Sequence, residues 1–204
     1  MIEFAVDLIN QIGLLGAALL IGIEVMIPPI PSEAILLLTG FNVSLGRFGF
    51  FEALLATTLG SLAGASVLYL LGYLFTEERL ESIVGKYGKY VGLPLKNLKK
   101  TMHWFERHGS SLVFFGRMLP IVRSLVSIPA GLVKMGLAKF YFFSTVGILS
   151  WNSLWLLLGV NLGENWKAAD EFAQFLDWAV YGLLALVAIY VLYNLIKQLT
   201  RKQS

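Results

Sequence analysis

Apolar residues fill this chain in long blocks rather than in short alternating runs. Residues 12–41, 48–75, 110–133, 140–163 and 178–196 each approach or exceed the roughly 18–20 residues that span a hydrocarbon core. Blocks of that length predict helices, because a helix satisfies its own backbone polar groups in lipid within one segment. Two of the blocks are interrupted. Five of the six prolines fall inside them: Pro28, Pro29 and Pro31 in 12–41, and Pro120 and Pro129 in 110–134. Each removes a backbone donor and breaks a helix. Non-helical backbone at membrane depth needs protein or a wet cavity around it, so both segments read as helix, turn, helix: two re-entrant hairpins.

Charge then orients the blocks, since cytoplasmic loops of membrane proteins collect Lys and Arg. Residues 76–108 carry Arg79, Lys86, Lys89, Lys96, Lys99, Lys100 and Arg107, and the C-terminus carries Lys197, Arg201 and Lys202. Both are expected in the cytoplasm, the first as a basic amphipathic connector. Residues 164–177 hold Glu164, Asp170, Glu171 and Asp177 against Lys167, which fits an outer loop. The second hairpin has basic flanks on both sides, residues 96–107 before it and Lys134 and Lys139 after it, so it enters from the cytoplasm and returns there. Glu3 and Asp7 precede the first hairpin and Arg47 follows it, which indicates entry from outside. The block 48–75 then crosses inward, 140–163 outward and 178–196 inward. A hairpin followed by a span, twice and in opposite orientation, is an inverted-repeat plan known among transporters. A displacement of about 91 residues lays Pro29-Ile30 on Pro120-Ile121, Gly40 on Gly131, Phe51 on Phe142 and Leu71-Gly72 on Leu162-Gly163 without a gap.

Composition agrees with a single membrane domain over residues 1–204. The chain is 57% hydrophobic and 14% charged, where soluble domains average about 45–50% and roughly 25%. Residues 1–12 lack the basic start of a signal peptide, so the first apolar segment is expected to stay in the mature protein. The absence of Cys excludes disulfides and thiolate metal sites. Nucleic acid is not an expected partner, because Glu77, Glu78, Glu81 and Glu106 interrupt the basic connector.

The chemistry concentrates in the two turns. The first reads Glu24-Val-Met-Ile-Pro28-Pro29-Ile-Pro31-Ser32-Glu33, and the second Arg117-Met-Leu-Pro120-Ile-Val-Arg123. At about 2.5–3.5 kcal/mol for a charge at the centre of a membrane helix, four such groups must face one another or water. They could serve only as ion pairs that pin the hairpins together. Stability is a weak reason to keep them, because apolar replacement of buried ion pairs is often neutral or stabilising. A planar guanidinium grips phosphate oxygens bidentately, so Arg117 and Arg123 are the candidate phosphate ligands, helped by exposed backbone donors of the half-helices. Glu24 and Glu33 are the candidate proton-coupling or headgroup acids, because a carboxylate that loses its Arg partner to substrate takes up a proton more readily. Pro28, Pro29, Pro31, Ser32, Pro120 and Gly131 shape the turns. Asn152 either hydrogen-bonds a neighbouring helix or lines the cavity. Gly60, Gly64, Ala53, Ala56, Ser61 and Ala65 form a small-residue face for close helix packing. Trp166 and Trp178 read as interfacial anchors. Gly109 reads as a helix stop. His103 and His108, five residues apart, share no helix face for a metal. No phosphate loop, zinc motif or nucleophile elbow occurs, and no cofactor is expected.

These residues resemble the DedA family of bacterial membrane proteins, within the VTT (SNARE-associated) domain superfamily that includes eukaryotic scramblases. The resemblance covers about residues 15–165. It is carried by Glu24 to Glu33 with Gly40, and by Trp104-Phe-Glu-Arg-His-Gly109, Phe115-Gly116-Arg117, Pro120, Arg123, Ala130-Gly131, Phe140, Gly147, Trp151-Asn152 and Gly159. It implies opposed re-entrant hairpins, a place in the bacterial cytoplasmic membrane, and lipid transport, with some members recycling undecaprenyl phosphate and others translocating phosphatidylethanolamine. It implies a role for the Glu24, Glu33, Arg117 and Arg123 quartet, and proton-motive force for some members. One departure is Pro31-Ser32-Glu33, where some relatives place an Asp after Pro-Gly. The expected function is therefore a translocase, not an enzyme, for a phosphate-bearing lipid headgroup. Undecaprenyl phosphate is preferred; phosphatidylethanolamine and a proton-coupled small-ion or drug carrier are the alternatives. A homo-oligomer is compatible with all of this.

Overall fold

The computed structural model describes residues 2–26, 32–75, 95–119 and 122–165. All regular structure within them is helical: α1 (Ile2–Ile12), α2 (Leu14–Met26), α3 (Ser32–Ser44), α4 (Phe50–Leu74), α5 (Leu95–Gly116), α6 (Val122–Leu125), α7 (Ser127–Leu132) and α8 (Leu137–Leu162), closed by a 3₁₀ turn at Gly163–Asn165.

Two of these helices are long and apolar enough to cross a membrane, α4 with 25 residues and α8 with 26. At 1.5 Å per residue each reaches about 37–39 Å, more than the roughly 30 Å hydrocarbon core. In their most apolar stretches only 44% and 39% of residues are buried, whereas the core helix of a soluble protein is mostly covered. The outward sides carry Phe51, Leu55, Leu59, Leu70 and Leu74 on α4, and Leu137, Tyr141, Phe142, Leu154 and Leu157 on α8. Apolar faces of that extent are made for lipid. By contrast α2 and α3, at 13 residues each, reach about 20 Å and are too short to cross. Ser32 through Gly40 of α3 are all buried, as expected of a helix that is apolar all round.

Helix crossings are made at glycine. A methyl group on Gly60 of α4 would overlap the Ala18 carbonyl of α2, and one on Gly64 the Gly22 carbonyl. In the same way Gly40 of α3 lies against the Leu156 carbonyl of α8, and Gly159 of α8 against the Leu37 carbonyl. Gly131 of α7 lies against the Tyr69 carbonyl of α4, and Gly72 of α4 against the Ile128 carbonyl. The last two crossings correspond residue for residue. Gly131 follows Gly40 by 91 positions, as the sequence pairing had it, but Gly159 follows Gly72 by 87. The two offsets differ by four residues, about one helical turn, so these crossings do not follow the gapless pairing of Leu71-Gly72 with Leu162-Gly163.

Three features differ from the sequence reading or extend it. Helix α5 runs on through Gly109, which is therefore not a stop; the glycine lies instead against the Phe105 ring. Helix α1 was not anticipated, although Ile2, Ala5, Ile9 and Ile12 carry the spacing of an apolar face; Ala5 and Ile9 are buried in the core. The apolar segment after Pro120 is split into α6 and α7. Pro129 has no N–H to offer the Leu125 carbonyl, where α6 ends. Pro28, Pro29, Pro31 and Pro120, most of the basic connector, the acidic loop, the block 178–196 and both Trp166 and Trp178 lie outside the described residues.

Candidate functional site

The site forms where three short helix ends converge on the two long helices. Glu24 lies in the last turn of α2, Arg117 just beyond the end of α5, and Arg123 in α6. All three are buried, at 4%, 2% and 6% exposure. Charges this deep need partners, and the structure supplies them. The Arg123 guanidinium donates to Glu24 Oε2 at 2.5 Å, a buried ion pair that joins the two hairpin segments across 99 residues of chain. Its cationic carbon stands 5.7 Å from the Trp151 ring centre, a favourable cation–π distance.

Arg117 is held differently. One terminal nitrogen donates to the Arg123 backbone carbonyl, and the other to Ser127 Oγ at 2.8 Å and Ser144 Oγ at 3.1 Å. Its guanidinium also stands 5.8 Å from the Phe140 ring centre. One side chain thus ties the end of α5 to α6, α7 and α8. Its Nε is buried and without a partner among the described residues.

Glu33 opens α3 and is buried at 8% exposure. Among the described residues it makes neither a hydrogen bond nor an ion pair. The structure therefore brings Glu24, Arg117 and Arg123 together, and among the described residues Glu33 is bonded to neither arginine. Ser32 is buried with an unpartnered hydroxyl, and Gly131 serves the α7–α4 crossing.

A narrow cavity borders Arg117 and Arg123, lined also by Val25, Ser61, Ile148, Trp151 and Asn152. Its water-accessible space, about 10 Å³, holds about one water, so the described conformation is closed to anything larger. Val25 belongs to one apolar cluster of the core and Trp151 to the other, which places the cavity where the two meet. Asn152 is fully buried on the cavity wall, and neither its amide oxygen nor its nitrogen has a partner among the described residues. Ser127, Ser144, Ser61 and Trp151 were not named as site residues from the sequence. Hydroxyls inside apolar blocks that also hold a buried Arg were the available signal, but many such serines only bond back to their own helix. His103 and His108 lie away from this cluster, both exposed, bonding Glu106 and the Trp104 carbonyl.

Long lipid-facing helices around buried charges, with short helices that end at those charges, define a helical membrane protein with an intramembrane polar site. A family model described as the VTT domain matches residues 30–161. The chain belongs to that family, the DedA proteins, as its motifs indicated. It is 38% identical over 197 residues to an "alkaline phosphatase-like protein" of Lactococcus lactis subsp. lactis, covering 96% of this chain and 92% of the relative. It is 32% identical over 180 residues to undecaprenyl phosphate transporter A of Bacillus subtilis, covering 88% of each. The transporter of the same name from Staphylococcus aureus is 29% identical over 188 residues, covering 92% of this chain and 93% of that one. No solved structure matches.

Proposed function

We propose that this protein is an inner-membrane, multi-pass translocase that moves a phosphate-bearing lipid headgroup between leaflets, undecaprenyl phosphate being the preferred substrate and phosphatidylethanolamine the alternative. The observation that carries this is the buried Glu24–Arg123–Arg117 cluster where the ends of α2 and α5 meet α6. Half-span helices and matched glycine crossings support two re-entrant hairpins in an inverted repeat. Two relatives named undecaprenyl phosphate transporter A support the substrate.

In this reading Arg123 is the first phosphate ligand. Its guanidinium is shared with Glu24, so an arriving phosphate competes with that carboxylate for the same donors. Glu24, whose ion pair with Arg123 the phosphate displaces, is the acid assigned to proton coupling, so that headgroup and proton movement are linked. Arg117 holds the turn in shape. Glu33 is the second acid, near enough to the hairpin turn to meet a cationic or protonated headgroup. The C-terminus lies in the cytoplasm, and oligomerisation is compatible with the mechanism without being required by it.

The test is reconstitution into liposomes with leaflet-specific assays for both lipids, including release of inorganic phosphate. Wild type is expected to transfer the polyprenyl phosphate without releasing phosphate, and faster with a pH gradient. Arg123→Lys keeps the charge but loses the fork, and is expected to slow transfer at least about tenfold. Normal transfer by that variant would rule out bidentate phosphate binding, and a rate indifferent to collapse of the pH gradient would rule out proton coupling. Phosphate release would favour the reading that the name "alkaline phosphatase-like protein" gives two relatives.

A further inference from the structure

Buried polar atoms without partners are rare in proteins, and each calls for an explanation. Here they gather. Ser61 Oγ, Trp151 Nε1, both polar atoms of the Asn152 amide and Arg117 Nε are buried and unpartnered among the described residues, and all four residues line the one cavity. Ser61 and Asn152 are 1% and 0% exposed, so bulk water does not serve them. Helices α4 and α8 run antiparallel here, Tyr69 packing on Phe140 and, two to three turns along, Ser61 sharing the cavity wall with Trp151 and Asn152. One turn further along the same two helices, Thr58 Oγ1 and Trp155 Nε1 are also buried and unpartnered among the described residues. The four residues around the cavity thus gather orphans from α4, α8 and the end of α5. Other serine and threonine hydroxyls of these helices, Thr57, Ser66 and Ser150, bond back to their own backbone.

We infer that Ser61, Trp151 and Asn152 form the neutral half of the headgroup site and select a phosphate monoester over a phosphodiester. The inference rests on the lipid-translocase reading and deepens it. Its basis is the balance of donors and acceptors. Trp Nε1 and Arg Nε only donate, the Asn amide offers two donor hydrogens, and Ser can donate. The acceptors on the wall are Asn152 Oδ1 and Ser61 Oγ. A wall so rich in donors matches the three terminal oxygens of a monoester. A diester presents two, and an ethanolamine headgroup adds an ammonium that needs acceptors. Thr58 and Trp155 extend the same lining toward the N-terminal end of α4, the direction in which a headgroup would leave. The closed cavity has no room for a phosphate, so the helices part slightly when one enters.

The experiment measures transfer in liposomes of a polyprenyl phosphate and of a phosphodiester lipid, phosphatidylethanolamine, by wild type, Ser61→Ala, Trp151→Phe and Asn152→Ala. Trp151→Phe removes a donor while keeping a ring beside Arg123, so it tests the inference even where Asn152→Ala fails to fold. Each variant is expected to slow the monoester about three- to tenfold and leave the diester within about twofold of wild type, lowering the monoester-to-diester ratio. Proportional loss of both rates means a structural role, and unchanged rates mean that water serves these groups; either overturns the inference while leaving the translocase reading in place. Transfer of neither lipid by wild type would overturn both.

Discussion

Glu24 and Arg123 show how a buried pair can cost more when halved than when removed. Each is more than nine-tenths covered, and the contact between them is 2.5 Å. Removing one partner deprives the other buried charge of this contact, and breaking a buried pair costs about 3–5 kcal/mol in soluble proteins. Arg123→Gln and Glu24→Gln are each expected to lower the melting temperature of the detergent-purified protein. The double variant is expected to recover much of that loss, giving a coupling energy of about 1–3 kcal/mol in a double-mutant cycle. Additive losses would mean that the pair is not coupled. At this scale the sequence was informative: a Glu and an Arg inside apolar blocks must be satisfied by something. It did not say which acid meets which base. Glu24 and Glu33 looked equivalent on paper, and only the position of α2 against α6 distinguishes them.

Among elements, the glycine crossings decide how closely helices approach. Gly60 and Gly131 each present bare backbone to a carbonyl of the facing helix, the arrangement that lets membrane helices gain van der Waals contact without a hydrophobic driving force. Gly60→Ala and Gly131→Ala are expected to force the helices apart and to reduce folded yield and melting temperature. Gly136, with nothing within 4 Å of an added Cβ, is expected to accept Ala without loss. Equal melting temperatures for all three would show that the crossings are not this tight. The small-residue face of 48–75 was legible in the sequence as a packing face. Its partners were not, because small residues mark where a helix is approached without naming the helix that approaches.

Across the whole molecule, the two ends of the long helices differ in character. Lys134, Lys139, Tyr73 and Tyr141 cluster where α4 ends and α8 begins, with the Lys134 ammonium 6.0 Å from the Tyr73 ring centre. Arg47 at the opposite end of α4 is held by Asn10 and Asn42, at 2.9 Å each. We propose, from charge placement, that the first end faces the cytoplasm and the second the outside. The chain contains no Cys, so single cysteines report topology cleanly. Ser44→Cys is expected to react with an impermeant maleimide from outside intact cells, and Lys139→Cys only after the membrane is opened. The reverse pattern would invert the orientation.

The sequence by itself determined that this is a helical membrane protein of the DedA type, because apolar block length, proline placement and buried charge are properties of the chain that lipid reads directly. It also singled out Glu24, Arg117 and Arg123 as charges inside apolar blocks, and the structure buries all three. The tertiary structure alone decided that Glu24 is the partner of Arg123, that Arg117 is engaged by Ser127 and Ser144, and that Ser61, Trp151 and Asn152 share one cavity wall. The reason is physical: these groups come together from helices far apart in the chain, and their pairing depends on crossing geometry set by glycine and by the break at Pro129. No local pattern of residues encodes that distance.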